Sequence, residues 1–285
     1  MQFFGSLIFL TSCLIGGFVM SGGHVANLWQ PYEILMLLGS GVGFFLASNS
    51  MHGVKMFFQF FGYIFKKPYS ADKFQQQIGM MTKLHAEYNR GKKDISAHIE
   101  DPDSSEIFKA YPKVLADTAG KQFLCNNLTL LVDEGNNLTV YDFEDMMEAE
   151  IEQYEKEWHS PYKGAAALVD TFPAIGIAVA VLGIVVSMQF LDAGMIVLGE
   201  HVGAALFGTF LGIFMAYCVF KPLSLVFSKF ADESGLYLRV IKTYLICMRK
   251  EYNPVKSATV TNKDVPPRYK LDTNILRDKV MSGEL

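Results

Sequence analysis

Four stretches of this 285-residue chain carry no charged side chain: residues 1–32, 34–54, 171–191 and 201–220. About 20 apolar residues in a helix cross the hydrocarbon core of a bilayer. One such run could be a buried core helix, but four leave little room for a soluble fold. The pattern predicts membrane-spanning helices near residues 3–20, 33–52, 171–191 and 201–220. The opening MQFFGSLIFL has no Lys or Arg before Lys55. It lacks the basic n-region of a secretory signal, so it is expected to be a retained span.

Basic residues set the orientation. Of the 25 Lys and Arg, 13 lie in residues 55–163 and 12 in residues 221–285. The connections SGGHVANLWQPYE and LDAGMIVLGE contain none. These two loops are therefore expected outside. The large loop, the C-terminal segment and both termini are expected in the cytoplasm, as in a multi-pass protein. The fold class is an all-α integral membrane protein. Residues 1–54 form a first transmembrane hairpin, 55–165 a helical cytoplasmic domain, 166–222 a second hairpin, and 223–285 a cytoplasmic helix followed by a mobile tail.

The soluble parts agree with a helical reading. Residues 72–100 have heptad-like apolar positions, and TVYDFEDMMEAEIEQYEKEWHS is a strongly acidic helical stretch. No window shows sustained strand alternation with hairpin turns. LSLVFSKFADESGLYLRVIKTYLICMRK keeps helical spacing up to Pro254, so the last span should continue into the cytoplasm. The end, VPPRYKLDTNILRDKVMSGEL, is polar and punctuated by proline, hence the expected mobile tail. Cys13, Cys125, Cys218 and Cys247 avoid the external loops, which argues against a disulfide framework. Their spacing fits no metal site. The NLT sequons at Asn127 and Asn137 fall in a segment expected to be cytoplasmic and are chance matches.

Small residues recur every four positions in two spans: Gly39, Gly43 and Ala47 in the second, and Ala204, Gly208, Gly212 and Ala216 in the fourth. Such ladders let helix backbones approach closely in lipid. The sequence does not say whether they pack within one chain or between chains. No ionisable side chain lies inside a span, although intramembrane charges usually mark ion pathways. Any ion pathway then needs a carboxylate from a partner. Thr209 is a mid-depth hydroxyl, for which a bond to the carbonyl four residues back is the plainer expectation. Pro173 and Pro222 flank the inner end of the second hairpin. If both helices run on past the membrane, each proline removes a helix bond and bends the helix. No nucleotide loop, HExxH or GxSxG occurs, and no catalytic cluster points to an enzyme.

With these residues in view, the chain resembles the motility protein A (MotA) family, the larger membrane subunit of the bacterial flagellar stator, in the MotA/TolQ/ExbB superfamily. GGFVMSGGHVANLWQPYEILMLLGSGVGFFLASN is similar to the family's first hairpin, and IEDPDSSEIFKAYPKVLAD to its loop signature. VDTFPAIGIAVAVLGIV and HVGAALFGTFLGIFMAYCVFKPL resemble its last two spans. The resemblance implies a flagellar motor component for motility and chemotaxis. A motility-B-type, single-span partner supplies the membrane aspartate, five copies of the A subunit surround a partner dimer, and the cytoplasmic loop pushes the rotor switch protein FliG. It implies coupling roles for Pro173, Pro222 and Asp170. Sodium-driven relatives carry a span-three hydroxyl in a pattern like GTLIG. Here VAVLG places Ala180 at that position, while Thr209 matches the more widely shared span-four threonine. Loss of a hydroxyl weakens a hard-cation site, so the transported ion is expected to be H+, with no cofactor.

The rotor-contact loop departs from the family pattern. With Gly91 as anchor, Tyr88 stands where the family has arginine and Ser96 where it has glutamate. Glu87, Arg90, Lys92, Lys93 and Asp94 are the nearby charges expected to take over that contact. The alternative implied by the wider superfamily is an ExbB/TolQ-like, proton-driven energiser of an outer-membrane process, a group that usually has three spans.

Overall fold

A computed structural model describes residues 2–65, 69–134 and 137–285. In chain order the helices are α1 (Gln2–Met20), α2 (Pro31–Ser48), α3 (Met51–Phe65), α4 (Ala71–Arg90), α5 (Lys92–Glu100), α6 (Glu106–Lys109) and α7 (Pro112–Leu115). They continue with α8 (Thr118–Glu134), α9 (Val140–Trp158), α10 (Ser160–Ser187), α11 (Met195–Phe214), α12 (Lys221–Arg249), α13 (Pro254–Thr261) and α14 (Thr273–Ser282). Among the described residues there is no strand. Four helical segments are long and apolar enough to cross a membrane; they contain three of the predicted runs and the second up to Ser48. Ile8, Phe9, Val181, Leu182 and Val185 are exposed along them. An apolar surface of this kind has lipid or protein against it rather than water.

The chain divides into two compact units, Met1–Lys66 with Trp158–Phe230, and Lys67–Glu157 with Ala231–Leu285. The first contains all the spans. In it α2 turns Leu37, Gly41 and Phe45 inward, one residue every four. Gly41 makes room there for the Phe172 ring, which would have to shift from an added Cβ 2.5 Å away. The predicted second span runs to residue 52, but α2 stops at Ser48. Asn49 donates its side-chain amide to the Phe45 carbonyl (2.8 Å), and the Ser50 hydroxyl accepts from Gly53 N–H (3.1 Å), which starts α3. Such side-chain bonds compete with continued helix. Helix α3 packs Phe57 and Phe60 edge-on to Phe227, at 5.4 and 5.8 Å.

In the second unit α4, α8, α9 and the far end of α12 enclose Phe74, Phe123, Phe143, Tyr237 and Tyr244, all fully buried. Lys73 is buried against Asp117 (2.6 Å) and lies over the Tyr69 and Tyr237 rings at 4.2 and 4.5 Å. Tyr237 also donates to Gln77. Arg239 on α12 bridges Glu148 and Glu155 of α9, and Lys242 reaches Glu148. The predicted 72–100 helix is broken at Gly91, the cap between α4 and α5.

The expected mobile tail is a docked segment instead. The Asp272 carboxylate accepts from Asn274 and Ile275 N–H and so starts α14, and Leu276 is fully buried. Asn262 both donates to the Leu271 carbonyl and accepts from its N–H. A capped helix with one buried leucine and a two-way amide clamp outweighs the polar composition on which the mobile reading rested.

Candidate ion-coupling hairpin

Helices α10 and α11 lie close because their facing residues are small. A Cβ on Gly176 would sit 2.9 Å from the Gly208 carbonyl oxygen, and one on Gly212 would sit 2.7 Å from that of Phe172. A Cβ on Gly183 would meet Ala205 Cβ at 2.7 Å. Of the span-four ladder, Gly208, Gly212 and Ala216 are buried, with Gly208 and Gly212 facing α10. This ladder therefore packs within the chain. Ala204 is only half-buried, and Ala205, its neighbour, takes the α10 contact. The second-span ladder differs: Gly39, Gly43 and Ala47 are exposed, and an added Cβ at either glycine meets nothing within 4 Å. The inward face of α2 is shifted by two residues, to Leu37, Gly41 and Phe45.

Both prolines sit inside continuous helix. Pro173 lies within the 28-residue α10, so the Val169 carbonyl loses its usual donor. Pro222 is the second residue of α12, which follows α11 without a break through a π-helical turn at Met215–Phe220. Lys221 N–H donates to the Ala216 carbonyl five residues back, so the turn is widened just before the proline. A residue without an N–H, whose ring crowds the carbonyl four back, accounts for that insertion. Phe172 and Phe220 stack at 5.0 Å with an interplanar angle of 16°, which places the two proline regions at one level of the hairpin. Phe172 is thus held by Gly41, Gly212 and Phe220 together. Counting small residues along single spans misses Phe172, Gly176 and the π turn, since each matters through a partner on another helix. The aromatic residues adjoining both prolines were the available signal.

Asp170 is exposed one turn before Pro173, and no ion pair to it is found among the described residues. Thr171 and Ser187 bond the carbonyls four residues back, at Ala167 and Gly183, both at 2.8 Å. Thr209 does not: among the described residues no hydrogen bond to its hydroxyl is found, contrary to the plainer expectation. It lies against Gly176, while Ala180 is buried where α10 meets Gly208. One oxygen of Glu33, in the first turn of α2, is buried without a hydrogen-bond partner among the described residues. The sequence had marked it only as the edge of a span.

In the expected rotor-contact segment, Glu87 and Arg90 end α4 and pair at 2.6 Å, with Arg90 70% exposed. An exposed pair of this type contributes under about 1 kcal/mol, so it ties up neither charge. The side chains of Lys92, Lys93 and Asp94 lie outside the described residues.

Residues 3–92 match the family described as Motility protein A N-terminal, and residues 116–238 match the MotA/TolQ/ExbB proton channel family. Motility protein A of Salmonella typhimurium is 31% identical over 243 residues, 85% of this chain and 82% of that protein. Chemotaxis protein LafT of Vibrio parahaemolyticus is 33% identical over 226 residues, 79% of each. Among solved structures, C. jejuni MotAB aligns with TM-score 0.75 at 17% identity, covering 94% of this chain and 97% of that one. The flagellar MotAB stator complex from Bacillus subtilis aligns with TM-score 0.73 at 19% identity, covering 94% and 98%. A glycine-zipped hairpin with one proline in each arm, set in a chain similar along most of its length to these proteins, belongs to the motility protein A family.

Proposed function

We infer that this chain is the A-type stator subunit of a bacterial flagellar motor, a multi-pass component of a proton-conducting complex that converts ion flow into torque. The observation that carries the reading is the hairpin itself, with both prolines inside unbroken helix at one level, in a chain of the motility protein A family. Residues 1–32, 34–54, 171–191 and 201–220 contain no Asp, Glu, Lys or Arg. A single-span, motility-B-type subunit supplies the membrane carboxylate, and the A subunits, five in number, surround a dimer of it. Termini and large loop face the cytoplasm of a bacterial inner membrane. The family's chemistry is ion conduction rather than catalysis of a covalent step.

In this reading, protonation of the partner carboxylate changes the charge facing α10 and α11. The helix bonds absent at Pro173, and loosened at the Met215–Phe220 turn, let the arms bend at that level. Asp170 stands beside the bend, and the unengaged Thr209 hydroxyl lines the path. Motion reaches FliG through the end of α4 and α5, with Glu87 and Arg90 among the contacts. Ala180, lacking a hydroxyl, favours H+ over Na+. An ExbB/TolQ-like energiser shares the residue 116–238 match, but the match over residues 3–92 supports the motility reading.

The test is rotation of tethered cells that lack their own stators and express this chain with its partner. Rotation that a protonophore stops supports the reading. A complex present in the membrane that never turns a flagellum counts against it.

A further inference from the structure

Glu33 is the one Asp, Glu, Lys or Arg in residues 1–54. It stands in the first turn of α2, one turn before Leu37 on the stripe that continues through Gly41 and Phe45. That stripe is the inward face of α2, and Leu37 on it is fully buried. Glu33 Oε2 is sealed from solvent and has no hydrogen-bond partner among the described residues. An atom already enclosed by its own chain stays enclosed when other subunits assemble around that chain.

Contacts at the glycines fix its depth. Gly41 faces the Phe172 ring and Gly164 faces the Phe45 ring, so α2 and α10 run antiparallel. From Gly41 to Glu33 the helix rises about 12 Å at 1.5 Å per residue. The same rise from Phe172 along α10 leads to Ala180. There Val179 and Ala180 meet Gly208 of α11. Thr209, next to Gly208, lies against Gly176, one turn of α10 further in. Two polar groups without a hydrogen bond among the described residues, the Glu33 carboxyl and the Thr209 hydroxyl, thus stand about one turn apart in depth on the same three helices.

The usual roles of an acid in a first helical turn do not account for Glu33. At a wet surface such an acid favours the helix dipole as an anion, and in a capping box it accepts a backbone N–H. Glu33 points along the inward stripe, and no backbone N–H donates to it among the described residues. A carboxyl kept in an apolar seam for structure alone would be hydrogen-bonded, because leaving it unpaired costs free energy. A carboxyl that takes up and releases a proton is served instead by transient partners, water and the proton itself. One carboxyl and one hydroxyl are fewer oxygens than a hard cation wants. The other carboxylates and imidazoles toward that end of the unit are His24, Asp192, Glu200 and His201. His201 stacks on Phe190 at 4.1 Å, and no ion pair joins Glu33 to either histidine among the described residues.

We propose that Glu33 is a proton-relay carboxyl in the outer half of the path. It takes a proton arriving from the external side and hands it inward, past Thr209, toward the carboxylate of the single-span subunit. The step is a proton transfer alone: Glu33 is neutral while loaded and anionic once the proton has moved on. The inference rests on the stator reading.

The experiment uses cells that lack their own stators and express the full chain with its partner. Speed is read from a small bead on a flagellar stub, a low load at which proton transfer rather than mechanical work limits rotation. External buffer is varied from mildly acid to mildly alkaline, and the membrane-bound complex is quantified in parallel. Glu33→Gln keeps the size and polarity of the side chain and removes the titratable group. It should slow rotation several-fold, and its speed relative to wild type should fall further as external protons become scarce. Glu33→Asp, which retains a carboxyl, should recover most of the speed. Glu33→Met, close in volume, replaces Glu33→Gln if that variant does not accumulate. Wild-type speed in the neutral variant at every external pH overturns the proposal. So does a slowing by the same factor at every pH, which marks a packing role. A wild-type complex that never turns a flagellum sinks the stator reading and this inference together, whereas a rotating wild type with an unaffected variant sinks the inference alone.

Discussion

Gly212 has the tightest constraint in the hairpin, because its missing Cβ is replaced by a backbone oxygen of Phe172. Gly212→Val forces α10 and α11 apart and should cost about 1–3 kcal/mol, the usual scale of overpacking. Thermal melts of the detergent-purified protein should show the loss, and rotation should fall with it. Gly39→Ala meets nothing in its own chain, so its melt should match the wild type; equal melts for both variants would refute the zipper. In the soluble unit, His85 is buried with Nδ1 unpartnered among the described residues, its ring edge-on to Tyr244 at 5.9 Å. Burial pushes its pKa down to about 4 from 6.5. The unfolded chain therefore binds the proton first, and stability is lost as pH falls from about 6.5 toward 4, by at most about 3 kcal/mol. His85→Leu should remove that part of the acid sensitivity in a melt-versus-pH series, and an unchanged slope would exclude His85 as its source.

At the scale of elements, the proposed hinge rests on two helices with different defects. In α10 the proline simply deletes a bond, whereas before α12 it is accompanied by a widened turn. Pro222→Ala restores a donor and removes the crowding that the π turn relieves. It should leave insertion and assembly intact while slowing rotation, and Pro173→Ala should do the same. Tethered-cell speed, with the membrane-bound complex quantified in parallel, decides this. Wild-type speed in both variants would show that neither bend is used. The sequence announced the prolines and the continuation of the last span, because helical spacing persists past Pro222; for Pro173 it left continuity open. It did not announce the π turn, which depends on hydrogen-bond register rather than on composition. It also put the second-span ladder in question without resolving it. Gly39, Gly43 and Gly41 look alike in a sequence, and only Gly41 meets Phe172. The tail was misread because a single buried leucine and an asparagine clamp weigh little in a composition average.

For the whole chain, the number and place of the four spans and the uneven distribution of Lys and Arg were legible, since bilayer thickness leaves few ways to house such runs, though not the end of the second at Ser48. The ion is a property of the assembled pathway and is written in few residues of this subunit. Thr209 has a free hydroxyl among the described residues, Ala180 offers none, and a hard cation wants several oxygens at once. A proton needs only a carrier group and its partner carboxylate. Cells dependent on this chain should therefore rotate in sodium-free buffer, stop with a protonophore, and not speed up when sodium is added. Thr209→Val removes the one hydroxyl in question and should slow rotation without abolishing it, because water and the partner carboxylate still relay the proton. Rotation that appears only with sodium would leave the stator reading intact and overturn the argument from Ala180. Full speed in Thr209→Val would remove that hydroxyl from the path, and the Ala180 argument would then rest on the buffer result alone.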